Sequence, residues 1–195
     1  MTIQKLISEL CSGDDLRAEA AALEMAALPR PRHSEVLAAL QELLAKPQSD
    51  LRWWAVRALS EIDHPGVPGL LLQALGDSDA AVRQCAALGL RLRPNLQAIP
   101  ALSAALSDQD HLLASLAADA LIAVGSPAVL PLLDVMQGSH QPARLKAARA
   151  LATIGDTRAI PALYAALDED STLMEYWANE GLERMGVGMV YFVPE

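Results

Sequence analysis

The chain has 195 residues, with 15 lysines and arginines against 24 aspartates and glutamates, and a formal net charge of −9. This acidic balance argues against a nucleic-acid-binding protein, because affinity for a phosphate backbone requires clustered cations. Hydrophobic residues make up 52% of the chain but aromatic residues only 4%. The core must therefore be built from alanine and leucine, which favours closely packed helices and argues against a β-sandwich.

Two features of the sequence bear on the compartment in which the chain works. Cys11 and Cys85 lie too far apart in sequence to suggest a disulfide framework or a zinc site. No apolar run approaches the ~20 residues that span a bilayer, and the segment from Met1 to Leu10 lacks the pattern of a secretion signal. We therefore expect a soluble, cytoplasmic protein with no membrane partner.

In chain order, the sequence consists of pairs of helical segments. Residues 3–28 form an irregular first pair, and residues 33–62 form a second pair without an initial proline. The next four pairs begin at prolines that are 32, 31 and 30 residues apart: Pro68, Pro100, Pro131 and Pro161. A constant period of this size indicates a repeat array, in which each unit buries its apolar face by stacking on its neighbours.

Within each unit, the pattern predicts a first helix A, a short polar turn and an alanine-rich second helix B. Acidic residues before the B helices and glycines after them are the expected caps: Asp77 or Asp79, Asp108 or Asp110, Gly125 and Gly155. The sequence therefore predicts an all-α fold, a right-handed α-solenoid of about six helical hairpins in a single domain. The expected units are 1–32, 33–66, 67–98, 99–129, 130–159 and 160–186.

The C-terminal part of the chain differs in charge and in composition. Residues 1–100 carry a net charge of −2 and residues 101–195 a net charge of −7. This acidic half is expected either to attract a basic patch on a partner or to act as a solvated end cap. An apolar tail follows at residues 187–195, and we expect it to dock across the last repeat, on a partner or on a second copy of the chain.

The repeated motif resembles HEAT repeats and, more narrowly, the HEAT-like repeat of the phycobilisome (phycobilin) lyase family. In this chain the motif is carried by a B-helix segment and by the run that leads into the next unit: Val82, Arg83, Ala86 and Leu90, then Gly155, Asp156, Arg158, Ala159, Ile160 and Pro161. The resemblance covers nearly the whole chain and implies HEAT-like hairpins. Another family with HEAT-like repeats, deoxyhypusine hydroxylase, binds iron through His-Glu pairs, and no His-Glu dipeptide occurs here.

One arginine recurs near the start of the B helices. It is present as Arg17, Arg52, Arg83 and Arg144, whereas Ala114 and Glu175 replace it in the fourth and sixth units. A guanidinium at this position can bind carboxylate and carbonyl oxygens of the Asp-containing turns and hold the repeats in register. The alternative is that these arginines face an anionic partner group such as a bilin propionate.

A second set of B-helix residues points away from the expected core and forms what we call the B-helix stripe. In HEAT-type solenoids this stripe lines the concave surface. Its smaller members include Ser60 and Ala152. Its large and charged members are the candidate partner-binding residues: Trp53, Arg57, Leu88, Arg91, Asp119, Ile122, Leu145, Arg149, Tyr176, Glu180 and Glu183. Aromatic anchors among charges are typical of a protein-binding surface, and the alternative is that these side chains pack between adjacent B helices.

The sequence contains no recognisable catalytic or metal-binding motif. The four histidines lie in different units, and neither cysteine has an activating neighbour in sequence, so we assign no catalytic residue, no metal site and no resident cofactor. We expect a noncatalytic scaffold, adaptor or assembly factor that binds a client protein. The resemblance implies a phycobiliprotein as client, and another subunit with a basic patch is the second possibility.

The alternative function implied by the resemblance is a phycobilin lyase, lyase subunit or bilin chaperone that acts on a phycobiliprotein. The acceptor cysteine would then belong to the client, so the absence of a nucleophile in this chain does not argue against it. Arg57, Arg91 and Arg149 would bind the propionates, Trp53 or Tyr176 would stack on the rings, and Asp119 would contact the pyrrole nitrogens. A phycobilin is a ligand of this chain only under this alternative.

Overall fold

The computed structural model describes residues 2–187 and contains twelve α-helices and no strand within them. The helices follow one another as six successive pairs, and short 3-10 turns precede four of the A helices in the described part of the chain. In chain order, α1 to α12 are Ile3–Leu10, Asp15–Ala26, His33–Leu44, Ser49–Glu61, Val67–Ala74, Ala80–Leu92, Ile99–Ala105, His111–Val124, Val129–Met136, Gln141–Ile154, Ile160–Ala166 and Thr172–Arg184. The prediction of an all-α repeat fold is confirmed.

Acidic side chains cap the B helices in the way that the turns predict. Asp79 accepts hydrogen bonds from the backbone amides of Ala81 (2.9 Å) and Val82 (3.3 Å) at the start of α6. Asp77 lies two residues before Asp79, and its carboxylate accepts a hydrogen bond of 2.8 Å from the backbone amide of Asp79. The same arrangement recurs before α8, where Asp110 is the cap and Asp108 accepts from its amide at 2.8 Å. Each of these turns therefore uses two aspartates, one for the helix and one for the turn.

The connection from α10 to α11 shows why the motif needs its glycine and its charged pair. Gly155 has φ 68° and ψ 28°, the left-handed conformation that ends a helix at low cost when no Cβ is present. Asp156 then accepts a hydrogen bond from the amide of Arg158 at 3.1 Å and pairs with its guanidinium at 2.7 Å. The Arg158 guanidinium also donates to the carbonyl of Ser126 at 2.8 Å, so it ties this connection to the preceding one.

The described chain divides between Ala98 and Ile99 into an N-terminal and a C-terminal unit. In the N-terminal unit α4 packs against α2 and α6, and in the C-terminal unit α10 packs against α8 and α12. Alanines and leucines of the B helices pack in the core of each unit with leucines of the A helices; the B-helix residues include Ala55, Leu59, Ala86 and Leu90 in the first unit. Ala117, Leu121, Ala147 and Leu151 are their counterparts in the second.

Two glycines allow neighbouring B helices to approach closely. A Cβ on Gly89 in α6 would lie 2.5 Å from Ser60 Oγ, and a Cβ on Gly181 in α12 would lie 2.9 Å from the Cα of Ala152 in α10. Ser60 and Ala152 are consequently buried. The expectation that these two members of the B-helix stripe point away from the core is therefore wrong, because the following B helix packs directly on them.

Most of the apolar tail lies outside the described residues, and its docking stays a prediction. Val187 is the last described residue, and its carbonyl accepts a hydrogen bond of 2.7 Å from the Tyr164 hydroxyl of α11. No helix within residues 2–187 combines the length and the hydropathy needed to cross a membrane.

Candidate functional site

The recurring arginine is a structural clamp in the N-terminal unit. The Arg52 guanidinium is buried and forms two parallel hydrogen bonds of 2.8 Å with the Asp77 carboxylate. It also donates to the carbonyls of Lys46 (3.0 Å) and Pro47 (2.8 Å) in the turn before its own helix. The hydrogen bonds from Arg52 hold the pKa of Asp77 below its ordinary value. One side chain thus joins the turns of two successive hairpins.

The equivalent arginines make similar contacts. Arg83 donates to the carbonyls of Asp77 (3.0 Å) and Ser78 (3.2 Å), and Arg144 donates to the carbonyl of Met136 (2.8 Å) while pairing with Glu169. The prediction that this arginine binds carboxylate and carbonyl oxygens of the turns is confirmed for Arg52 and Arg144. Arg83 binds the carbonyl oxygens of the turn before its own helix. These interactions use guanidinium nitrogens that the alternative assigned to an anionic partner.

In the N-terminal unit, the B-helix stripe combines half-buried aromatic and paired charged residues. Trp53 is half-buried and meets Trp54 edge to face, with 4.8 Å between ring centroids. Arg57 bridges α2 and α4 by pairing with Glu19, and it also pairs with Glu61 within α4. The other two candidate residues lie in α6 and are both exposed: Leu88 and Arg91.

In the C-terminal unit, the stripe residues Asp119 and Arg149 form an ion pair of 2.7 Å that joins α8 to α10. Tyr176 is 55% exposed and meets Trp177 edge to face at 4.9 Å, at the same helix positions as the tryptophan pair of α4. Glu180 pairs with Arg184 at 2.8 Å. The remaining candidates are two half-buried side chains and one exposed carboxylate: Ile122, Leu145 and Glu183.

The structure thus brings several stripe residues together but uses many of their charges internally. Arg57, Asp119, Arg149 and Glu180 each have an intramolecular partner. The exposed apolar members of the stripe are Leu88 in the N-terminal unit and Tyr176 in the C-terminal unit. The partner-binding role of the stripe stays a prediction.

Three exposed leucines at the starts of B helices were missed by the sequence reasoning. Leu16 at the start of α2 is 86% exposed, Leu112 in α8 is 55% exposed and Leu173 in α12 is 59% exposed. Leu112 and Leu173 directly precede the first core residue of their helices. The B-helix stripe was defined by positions counted from that core residue, so it does not include them. The sequence did contain a signal for them. An apolar residue recurs at the second position of these helices, and a side chain at that position of a capped first turn does not need to be buried.

The thiols and histidines offer little reactive chemistry. Burial raises the pKa of Cys85 to about 11, and partial burial raises that of Cys11, although the charge of Lys46 opposes this rise. Both thiols are therefore protonated near neutral pH. His33 is buried, and His64 accepts a hydrogen bond from the amide of Gly66 at 3.0 Å. Among residues 2–187, no group of three or more metal-ligating side chains converges.

Comparison with family models decides the class of this repeat. Residues 3–75 and 67–140 match the model of HEAT repeats. This chain belongs to the HEAT repeat family. The last part of the array, residues 143–169, matches the PBS lyase HEAT-like repeat. The HEAT identity suggested by the motif is therefore confirmed over most of the array.

Two curated relatives are similar to this chain in sequence. An uncharacterized phycocyanin operon protein Z of Pseudanabaena tenuis is 28% identical over 147 residues, which cover 71% of this chain and 73% of the relative. A phycobilisome maturation protein of Synechococcus elongatus is 36% identical over 115 residues, which cover 58% of this chain and 55% of the relative. The chain therefore matches about half of the length of the second relative.

Solved structures support the repeat fold. The complex of CpcE and CpcF of phycocyanin lyase from Nostoc has a TM-score of 0.57 and 22% identity, with 95% of this chain and 77% of that chain covered. A designed armadillo repeat protein has a TM-score of 0.56 and 16% identity, with 94% of this chain and 100% of that chain covered. At these identities the likeness concerns the fold alone.

Proposed function

We propose that this chain is a noncatalytic assembly factor that holds a phycobiliprotein subunit through its B helices. The observation that carries the proposal is the set of exposed apolar side chains on those helices. Leu173 and Tyr176 in α12 are 59% and 55% exposed, and Leu88 in α6 is 37% exposed. Exposed aromatic and leucine side chains among charged residues are the usual anchors of a protein interface.

A holding function agrees with the chemistry of the polar residues. The arginines near the starts of the B helices bind turns of the same chain, and Arg57 and Arg149 join neighbouring B helices. Cys85 is buried with a raised pKa, which disfavours a nucleophilic thiolate. The polar groups thus join successive repeats within each unit, and the exposed apolar groups remain to contact a client.

The choice of client rests on the relatives. One relative is named a phycobilisome maturation protein and another a phycocyanin operon protein Z. The last part of the array also matches the PBS lyase HEAT-like repeat. These names refer to the phycobilisome or to phycocyanin, and on this basis we propose a phycobiliprotein subunit as the client. The charge of −7 on residues 101–195 favours a client surface that carries basic side chains near its apolar contact.

Binding of purified phycocyanin α and β subunits, with and without bilin, tests this proposal. We expect a complex on size exclusion, and we expect Leu173→Ala with Tyr176→Ala to weaken it about tenfold or more, because truncated interface anchors dominate affinity. Leu130→Ala is the matched control, since Leu130 is 58% exposed but lies on an A helix of the same unit. The proposal is contradicted if the chain forms a complex with neither the α nor the β subunit. It is also contradicted if the control and the double variant lose the same amount of affinity.

The match of residues 143–169 to the PBS lyase HEAT-like repeat keeps a bilin-handling role as the second candidate. The two functions differ in what the chain binds alone. A bilin lyase or chaperone shifts the visible absorbance of free phycocyanobilin when it is added, whereas a client-holding factor leaves the spectrum unchanged. If the chain causes a saturable absorbance shift, and if Arg149→Gln or Arg91→Gln reduces that shift, the bilin-handling role is supported against the client-holding role.

A further inference from the structure

A groove of about 750 Å³ lies in the N-terminal unit, between the starts of α2 and α4. Its apolar lining contains the edge-to-face pair Trp53 and Trp54 together with Leu10, Leu16 and Leu51. Leu16 is 86% exposed, so it offers nearly all of its side chain to an occupant. Large rings are scarce in this chain, with three tryptophans in 195 residues. Two of those three rings line this groove.

The charged residues that line the groove are all acidic. They are Asp15, Glu19 and Asp50, and within the described residues no lysine or arginine joins the lining. Glu19 is paired with Arg57. For Asp15 and Asp50, residues 2–187 provide no ion pair, so two carboxylates remain for an occupant.

The other nearby positive charges do not reverse this balance. Lys46 acts electrostatically on the groove residue Cys11 but is exposed and lies outside the lining. The first turns of α2 and α4 each contribute about half a positive charge from the helix dipole. Asp15 and Asp50 lie in those first turns and each carries a full negative charge. The groove is therefore acidic as well as aromatic.

We propose that this groove binds an arginine side chain of the client, next to an apolar client residue that contacts Leu16. This inference rests on the proposed function and specifies the chemistry of its client. A guanidinium stacks on a tryptophan ring and donates to carboxylates at the same time, which suits a groove lined by Trp53 and Asp50. The propionates of a bilin would instead be repelled by these carboxylates, so the occupant is a segment of protein.

Peptide binding to the full chain tests the proposed groove. The probe is a short fluorescent peptide of alternating leucine and arginine, and its matched controls replace arginine with glutamine or with glutamate. We expect saturable binding of the arginine peptide that weakens as salt rises, and little binding of the two controls. The indole N–H signals of Trp53 and Trp54 should shift on binding, whereas that of Trp177 in the C-terminal unit should not. Equal binding of the glutamine peptide, or a shift confined to Trp177, overturns the proposal.

Substitutions in the lining locate the site. Asp15→Asn with Asp50→Asn should weaken the arginine peptide about tenfold, because two charge-assisted contacts are lost. Glu42→Gln with Asp134→Asn removes the same charge from exposed positions on A helices and should leave the affinity unchanged. Trp53→Ala should weaken binding about as much, with Trp53→Phe restoring part of it. Equal effects of the groove pair and the control pair overturn the proposal.

The same variants separate this inference from the proposed function. If a phycocyanin subunit binds and the groove variants bind it as tightly as the natural chain does, the groove proposal fails and the assembly function stands. If no phycocyanin subunit binds while the arginine peptide occupies the groove, the assembly function fails and the groove proposal stands for another basic client.

Discussion

At the scale of single residues, the Arg52 side chain forms hydrogen bonds with two different turns of the N-terminal unit. It joins Asp77 and the carbonyls of Lys46 and Pro47, and it is buried. Arg52→Met should lower the melting temperature by roughly 5 °C or more, because the Asp77 carboxylate and two carbonyls lose their donor. Arg17→Met is the control: Arg17 occupies the same repeat position, but its side chain is 58% exposed, so its pair with Glu9 should contribute little.

The effect of Arg52→Met should depend on pH in a defined direction. Arg52 holds the pKa of Asp77 below its ordinary value of about 4, so ionised Asp77 stabilises the folded chain above that pH. This contribution is lost as pH falls through the lowered pKa of the folded state. The measurement is urea denaturation of the natural chain and of Arg52→Met between pH 7 and pH 3. The difference between their free energies of unfolding should be constant near neutral pH and should become smaller below about pH 4. If this difference in free energy of unfolding is the same at pH 3 as at pH 7, Asp77 does not mediate the destabilisation by Arg52→Met.

At the scale of elements, the close approach of B helices determines which stripe residues can face a partner. Gly181→Ala places a Cβ 2.9 Å from the backbone of Ala152 and 2.8 Å from Leu163 Cδ1, so it should destabilise the chain despite the better helix propensity of alanine. Gly69→Ala is the matched substitution, because Gly69 lies in α5 with nothing within 4 Å of a Cβ. It should stabilise the chain by about 0.5–1 kcal/mol. Urea denaturation of the two variants should therefore give shifts of opposite sign.

The hairpins were predictable from the sequence because their signals are local. The prolines near the starts of the A helices, the two aspartates before α6 and Gly155 after α10 act within a few residues of where they lie. The burial of Ser60 and Ala152 was not predictable in this way, since it depends on a glycine in the following helix. The groove at Trp53 was also missed, because its lining comes from the starts of two helices in different repeats.

At the scale of the whole molecule, successive B helices pack on one another within each unit, so stability should vary along the chain. In repeat arrays a local change weakens the repeats that it touches more than distant ones. Arg52→Met should raise amide hydrogen exchange most in α3 to α6, the hairpins that its hydrogen bonds join. Gly181→Ala should raise it most in α9 to α12, since α12 packs on α10 and α11. If each substitution raises exchange by the same factor in every helix, the chain unfolds as one cooperative body and the repeats are not separate units of stability.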